Sequence, residues 1–434
     1  MSLLTGLRCI RCGAEYPVQR MSRGCLKCAG DKRSNVFCTY DYEQIARTFS
    51  KDSLSSRAPT MWRYMEFLPP DEDHIVTLGE GMTPLVKCTN LGKKIGLSNL
   101  YVKDESRNPT WSFKDRLASS SVSMALYFGA EVVTASSSGN HGAATAAYAA
   151  RAGLDSVIFT IQAFPMTMRT LMQAYGAKVV AAPTPRDRWK LQQACEDEFG
   201  WYSNHDVVYP TVGYDPYGQD GYKTLAYEIC EQLGWRAPDK MVVPVGAGGS
   251  FFGSWRGFSE FRDLGFVDTT PQMIAAEVFG PLKNALAKGL DHVEPVRGGS
   301  TVAFSVGMDF STYQSLKVLL DSGGIAETAS DEEITEIQLQ LASMEGIYAE
   351  ASGVLSLAVI GKLREMGKID EDETVVALVT SGGLKDPATT QEYLPDIPLV
   401  EPNLDALREG LAEAYGYHLP SSPGAPSMGS RGEG

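Results

Sequence analysis

From residue 99 onward, short apolar runs alternate with longer segments whose apolar side chains recur every three or four positions. The short runs read as strands buried on both faces and the longer segments as helices that cover them. The pattern predicts strands at 99–103, 131–135, 155–160, 178–182, 241–245, 273–278 and 374–380. It predicts helices at 114–128, 166–175, 186–199, 222–233, 332–344 and 354–365, with two more following the loops 136–142 and 246–250. This alternation is the signature of parallel sheets with crossover helices, an α/β fold. Upstream, one helix is expected around 42–49 and a further segment over 62–68, stopped by Pro69-Pro70. The first forty residues read as strand-poor, and the Ser/Pro/Gly tail from about Pro420 as disordered.

A chain of 434 residues has room for two or three domains. Its net charge of −14 argues against nucleic-acid or anionic-membrane binding, and no apolar run is long enough to span a bilayer. Arg8, Arg11 and paired cysteines replace any secretory apolar region, so a cytoplasmic protein is expected. Four of the eight cysteines form two Cys-x-x-Cys knuckles, Cys9/Cys12 and Cys25/Cys28. Two such knuckles close a tetrahedral zinc site with no open position, so a structural zinc ribbon is expected over 1–40.

The stretch 108–116 reads Asn-Pro-Thr-Trp-Ser-Phe-Lys-Asp-Arg. Asn-Pro starts a turn, and Ser112-x-x-Asp115 reads as a capping box. Lys114 then falls in the first helical turn, beside the positive end of the helix dipole, the setting of a candidate Schiff-base lysine. The loop Gly246, Ala247, Gly248, Gly249 and Ser250 joins a strand to a helix, the geometry that cradles a phosphate. Phe251 breaks the dinucleotide fingerprint, and no Gly-Lys-Ser/Thr of a nucleotide-triphosphate loop is present. Asn140 and Thr380 sit at the C-terminal ends of other strands, where open α/β sheets place ligands.

Together these motifs, with Thr-Ser-Gly-Gly-Leu-Lys-Asp-Pro at 380–387, resemble the fold-type II pyridoxal-phosphate (PLP) enzymes, and within them the threonine synthases. The resemblance covers about 78 to 390 and implies two open twisted-sheet domains with helices on both faces: 41–123 with 226–395 as the large domain, and 124–225 as the small one. A C-terminal segment, 396–434, would follow. It implies that Lys114 forms the internal aldimine and moves the Cα proton, with Phe113 beside it. Gly246 to Ser250 would hold the cofactor phosphate, Asn140 would contact the phenolic oxygen, and Thr380 would face the ring nitrogen. A neutral hydroxyl there suits elimination and replacement more than transamination. The expected partners are a small amino-acid substrate and a second copy of the chain in a homodimer.

The departures from the threonine synthase pattern fall on the substrate side. Trp111 stands where a glycine is usual, and His141 follows Ser-Gly-Asn as in serine/threonine dehydratases. The usual Asn-Ser-x-Asn-Pro-x-Arg segment aligns with 212–218, which lacks both polar donors and carries Gly218 in place of the arginine. Trp111, Ser137, Ser138, His141 and Lys223 are therefore the expected substrate-side residues, with Lys223 or Arg169 as a replacement cation. The expected reaction is elimination or replacement at Cβ or Cγ of an L-amino acid. The alternatives are threonine synthesis from O-phosphohomoserine, serine/threonine dehydration, and a cysteate- or cysteine-synthase-like β-replacement. A zinc-ribbon binding protein with an inert enzyme-like domain is the competitor from another class.

Overall fold

The strand Lys240–Pro244 is buried at every position, and a six-stranded sheet is built around it. In a computed structural model the described residues are 2–28, 30–162, 164–208 and 211–419. Strands are numbered in chain order. In the N-terminal ribbon they are β1 (Leu4–Cys9), β2 (Glu15–Tyr16) and β3 (Val36–Tyr40). β4 (Leu85–Lys87) and β5 (Asn99–Asp104) follow. Next come β6 (Val132–Ser136), β7 (Asp155–Ile161), β8 (Lys178–Ala182) and β9 (Tyr202–Ser203). The last four are β10 (Lys240–Pro244), β11 (Gln272–Glu277), β12 (Ile325–Thr328) and β13 (Thr374–Val379).

The large sheet has the order β12-β11-β10-β13-β5-β4, parallel except for β4, which runs antiparallel to β5. The second sheet, β8-β7-β6-β9, is wholly parallel and is inserted in the chain between β5 and β10. Both are open sheets of an α/β fold, as the alternation of apolar runs and helical segments predicts. The ribbon is not strand-poor: β2-β1-β3 form an antiparallel sheet, with Leu7, Cys9, Val36 and Cys38 turned into the core. Its strands escape periodicity because β2 has only two residues, too few to alternate. β12 and the helices Pro281–Lys288 and Tyr313–Ser322 are likewise additions to the sequence reading.

One compact unit runs to Pro387, and a second begins at Ala388 and contains the helix Leu404–Tyr415. The tail from Pro420 lies outside the described residues. No helix among the described residues is long and apolar enough to cross a membrane.

A buried ion network locks the Lys114 helix, Lys114–Tyr127, against the large sheet. Arg116 Nε donates to Glu105 Oε2 at 2.7 Å and its Nη2 to Glu228 Oε2 at 2.8 Å, while Lys103 Nζ donates to the same Glu228 oxygen at 2.7 Å. All four side chains are fully buried, so loss of one partner would strand a charge in the interior. The network fixes the residue two positions before it, Lys114.

Candidate active site

A cavity of about 700 Å³ opens between the C-terminal ends of the two parallel sheets. Phe113, Lys114, Asn140, Gly246, Ala247, Gly248, Gly249, Ser250 and Thr380 all line it, as do Ser137, Ser138 and His141. Its size suits a cofactor together with a small substrate.

Lys114 begins its helix, but not by the expected capping box. Phe113 is the residue before the helix, and the Asp115 carboxylate turns back to accept from Thr110 N at 2.7 Å and from its hydroxyl. Burial pushes Asp115 up to about 7. Phe113 N donates to Thr380 O at 2.9 Å, so the lysine turn is stitched to the end of β13. Lys114 Nζ donates to Tyr214 Oη at 3.0 Å.

The Gly246–Ser250 loop meets a demanding test for a phosphate. The carbonyls of Gly246 and Ala247 accept from the hydroxyls of Ser311 at 2.7 Å and Thr312 at 2.8 Å. The amides of Gly246 to Ser250 have no hydrogen-bond partner among the described residues, and the helix Gly249–Asp263 adds its dipole. A side chain at Gly249 would stand 2.4 Å from Tyr214, and Gly248, at φ +77°, would meet Ser315 Oγ at 1.7 Å. The glycines are thus imposed by close approach as well as by backbone angle.

Asn140 is held from both sides. Its Nδ2 donates to both Glu350 oxygens at 3.1 Å, and its Oδ1 accepts from Lys385 Nζ at 2.7 Å. Burial pushes Lys385 down to about 8, against the pull of Asp115 and Glu350, and pushes Glu350 up. The side-chain amide is thereby fixed at the cavity wall. His141 is kept neutral by burial and by the neighbouring Lys114 and His205.

Two of the expected substrate-side residues lie elsewhere. Lys223 is fully buried, bound to Asp220 at 3.0 Å and Glu260 at 3.3 Å, and cannot meet a substrate. Trp111 is 49% exposed and does not line the cavity. Arg169 is exposed and also absent from the wall. The cavity also gathers residues outside the expected site set: Tyr214, His205, Arg188 and Glu350. His205 and Tyr214 meet edge to face at 4.9 Å. Of these, only Glu350 carries a local sequence signal, since Glu350-Ala351-Ser352-Gly353 resembles the Glu-Pro-Ala-Ser/Gly turn that enters a helix in the fold-type II enzymes.

The four N-terminal thiols also converge. The Sγ atoms of Cys9, Cys12, Cys25 and Cys28 all lie within 4.8 Å of one another, and all four cysteines are free.

A lysine amine facing unpartnered amides at a helix start, across parallel strand ends, defines an α/β enzyme built for an aldehyde cofactor that carries a phosphate. The chain belongs to the pyridoxal-phosphate dependent enzyme family, whose model matches residues 76–381. It is 37% identical to a threonine synthase of Methanocaldococcus jannaschii over 413 residues, 94% of this chain and 99% of that one. It is also 37% identical to a threonine synthase of Methanosarcina acetivorans, over 93% of this chain and 98% of that one. Among solved structures, maize serine racemase is similar in fold, with a TM-score of 0.61 at 22% identity over 72% of this chain and 91% of that one. The protein is thus a PLP-dependent enzyme resembling threonine synthases.

Proposed function

We propose that the protein is a threonine synthase-like lyase that acts on an O-phosphorylated L-amino acid, O-phosphohomoserine first among candidates, and releases inorganic phosphate. The observation that carries this reading is the placement of Lys114 Nζ in a cavity shared with the unpartnered amides of Gly246 to Ser250, in a chain similar to threonine synthases along nearly its whole length. When bound, the cofactor supplies an electron sink for negative charge at Cα.

The chain's own residues do the rest. The amides of Gly246 to Ser250 would hold the cofactor phosphate. Asn140, gripped by Glu350 and Lys385, would offer a fixed amide to the phenolic oxygen, and Thr380 would serve the ring nitrogen. Lys114 Nζ takes the Cα proton, and Tyr214 Oη, its hydrogen-bond partner, orients that amine. With the phosphate on Cγ, as in O-phosphohomoserine, a second proton must leave Cβ before the Cγ–O bond breaks with its electron pair on the departing phosphate. Water then supplies the hydroxyl and the protons that balance threonine and inorganic phosphate. Phe113, on the cavity wall beside the lysine, is held by stacking on Tyr222 at 5.2 Å.

We read the four-thiolate cluster as a structural zinc site. A tetrahedral ion with Zn–S near 2.3 Å separates its sulfurs by about 3.8 Å, and Cys9–Cys28 and Cys12–Cys25 both stand at 3.7 Å. In the same reading the sheet-bearing segments form a large and a small domain, and the enzyme is a cytoplasmic homodimer.

The test is a panel of serine, threonine, homoserine and their O-phospho forms, scored for phosphate, ammonia and 2-oxo acid. Phosphate release from an O-phospho amino acid supports the reading. Ammonia and 2-oxo acid from unphosphorylated serine or threonine, without phosphate release from any substrate, would make it a dehydratase instead.

A further inference from the structure

The wall of the cavity around Ser138 carries a cation, Arg188, that forms no ion pair among the described residues. Arg188 lies in the first turns of the helix Pro185–Phe199. Its Nη1 donates to Ser138 Oγ at 2.9 Å, and Ser138 in turn accepts from Thr160 Oγ1 at 2.9 Å. Its guanidinium lies 5.4 Å from the ring centre of Trp189. No carboxylate pairs with it among the described residues, and its Nε is buried without a partner. Arg188 is half-buried; a guanidinium partly withdrawn from water with no carboxylate beside it is a favourable site for an arriving anion. On the same cavity, His141 is 5% exposed, and its Nε2 meets no hydrogen-bond partner at full geometry among the described residues.

The acidic groups that line the cavity do not discharge Arg188. Glu350 is committed to Asn140, and Asp309 forms no ion pair with it. Nor can the arginine missing at Gly218 be replaced locally. A side chain there would press on Ser121 at 2.9 Å and Leu117 at 3.1 Å, so the Lys114 helix fills that space. The cofactor phosphate has its own cradle at Gly246–Ser250, which leaves the Arg188 wall for a second oxyanion.

We propose that Arg188, with Ser138, is the anchor for the phosphoryl group of the substrate and sets the preference for an O-phosphorylated amino acid. A guanidinium fork matches a phosphate dianion with two parallel hydrogen bonds, which a lysine or a hydroxyl cannot reproduce. The substrate assignment rests on the elimination reading above; the oxyanion site itself does not.

The experiment titrates inorganic phosphate into the cofactor-loaded enzyme by calorimetry, for wild type, R188Q and R188K. It then compares kcat/KM for O-phosphohomoserine with that for homoserine. Wild type should bind phosphate saturably. R188Q should bind it at least tenfold more weakly and lose at least tenfold of the phosphorylated-over-unphosphorylated preference, chiefly through KM. R188K should fall between. Unchanged phosphate affinity in an R188Q protein that keeps its visible cofactor band overturns the proposal. Should R188Q lose that band, R188K decides, and wild-type affinity in it is equally fatal. A loss of phosphate affinity with an untouched substrate preference would assign the site to a free oxyanion and overturn its role in substrate choice. If no amino acid turns over while R188Q still loses phosphate, the elimination reading falls and the oxyanion site stands. If R188Q releases phosphate from O-phosphohomoserine as wild type does, the reading stands and the site falls.

Discussion

Trp111 adopts φ +60°, a left-handed conformation that a bulky residue rarely takes, three positions before the catalytic lysine candidate. It is tolerated because its backbone is tied on both sides: its N donates to Asn108 O at 2.8 Å and its carbonyl accepts from Gly382 N at 3.1 Å. The side chain points to solvent, so the effect of Trp111→Gly should be on the backbone. Relief of left-handed strain and the added chain entropy of glycine oppose each other, and stability should change by no more than about 1 kcal/mol. The relative kcat/KM values over the amino-acid panel should stay as in wild type. A changed preference would return Trp111 to the substrate pocket. The contrast with its neighbour shows what sequence can reveal. Lys114, Gly246–Ser250 and Asn140 were legible because turn chemistry and glycine spacing are local. That Trp111 faces out was not, since its direction depends on the bond to Gly382, 271 residues downstream. Arg188, His205 and Tyr214 carry no local signal and become neighbours of Lys114 only through the packing of two sheets.

At the scale of elements, strand ends do the positioning, and one of them stores a proton. Glu277 closes β11 and is 1% exposed. Its two carboxylate oxygens accept from Leu282 N and Lys283 N, both at 3.0 Å, and so satisfy orphan amides of the helix Pro281–Lys288. Burial nevertheless pushes it up to about 7. Between its ordinary range and pH 7 the fold therefore holds a proton that the unfolded chain has lost. Its contribution to stability is full below about pH 4.5 and is lost as pH rises through 7, a change of roughly 3 kcal/mol at most. Denaturant unfolding from pH 5 to 8 should show a shallower pH slope in Glu277→Gln than in wild type; equal slopes would refute the assignment. The strands of the large sheet were readable as apolar runs because both faces are covered. The capping box at Ser112 misled because the Asp115 carboxylate had a nearer donor in Thr110. Such choices between equally local partners are settled by tertiary packing, and no spacing rule records them.

At the scale of the whole molecule, the ribbon and the cavity share one segment of chain. Asn35 Nδ2 donates to Tyr214 O at 2.9 Å, Val207 N to Ser22 O at 3.0 Å, and Tyr217 Oη to Gln19 O at 2.7 Å. The ribbon thus grips the stretch that carries His205 and Tyr214 to Lys114. If the thiolate cluster holds zinc, removing it with a chelator should raise amide exchange over 204–208 and 211–217 before the strands β10 and β13 respond. Exchange confined to the ribbon itself would show that the two are uncoupled. Everything else in the account depends on one covalent position. Lys114, Lys385 and Lys103 are all buried near the site's framework, but only Lys114 lines the cavity. The direct test is borohydride reduction of the enzyme showing the visible band of this cofactor on a lysine, followed by peptide mass spectrometry. The account predicts a phosphopyridoxyl group on the peptide bearing Lys114 and none in Lys114→Ala. A label on Lys385 or any other lysine, or a band that survives in Lys114→Ala, would contradict it.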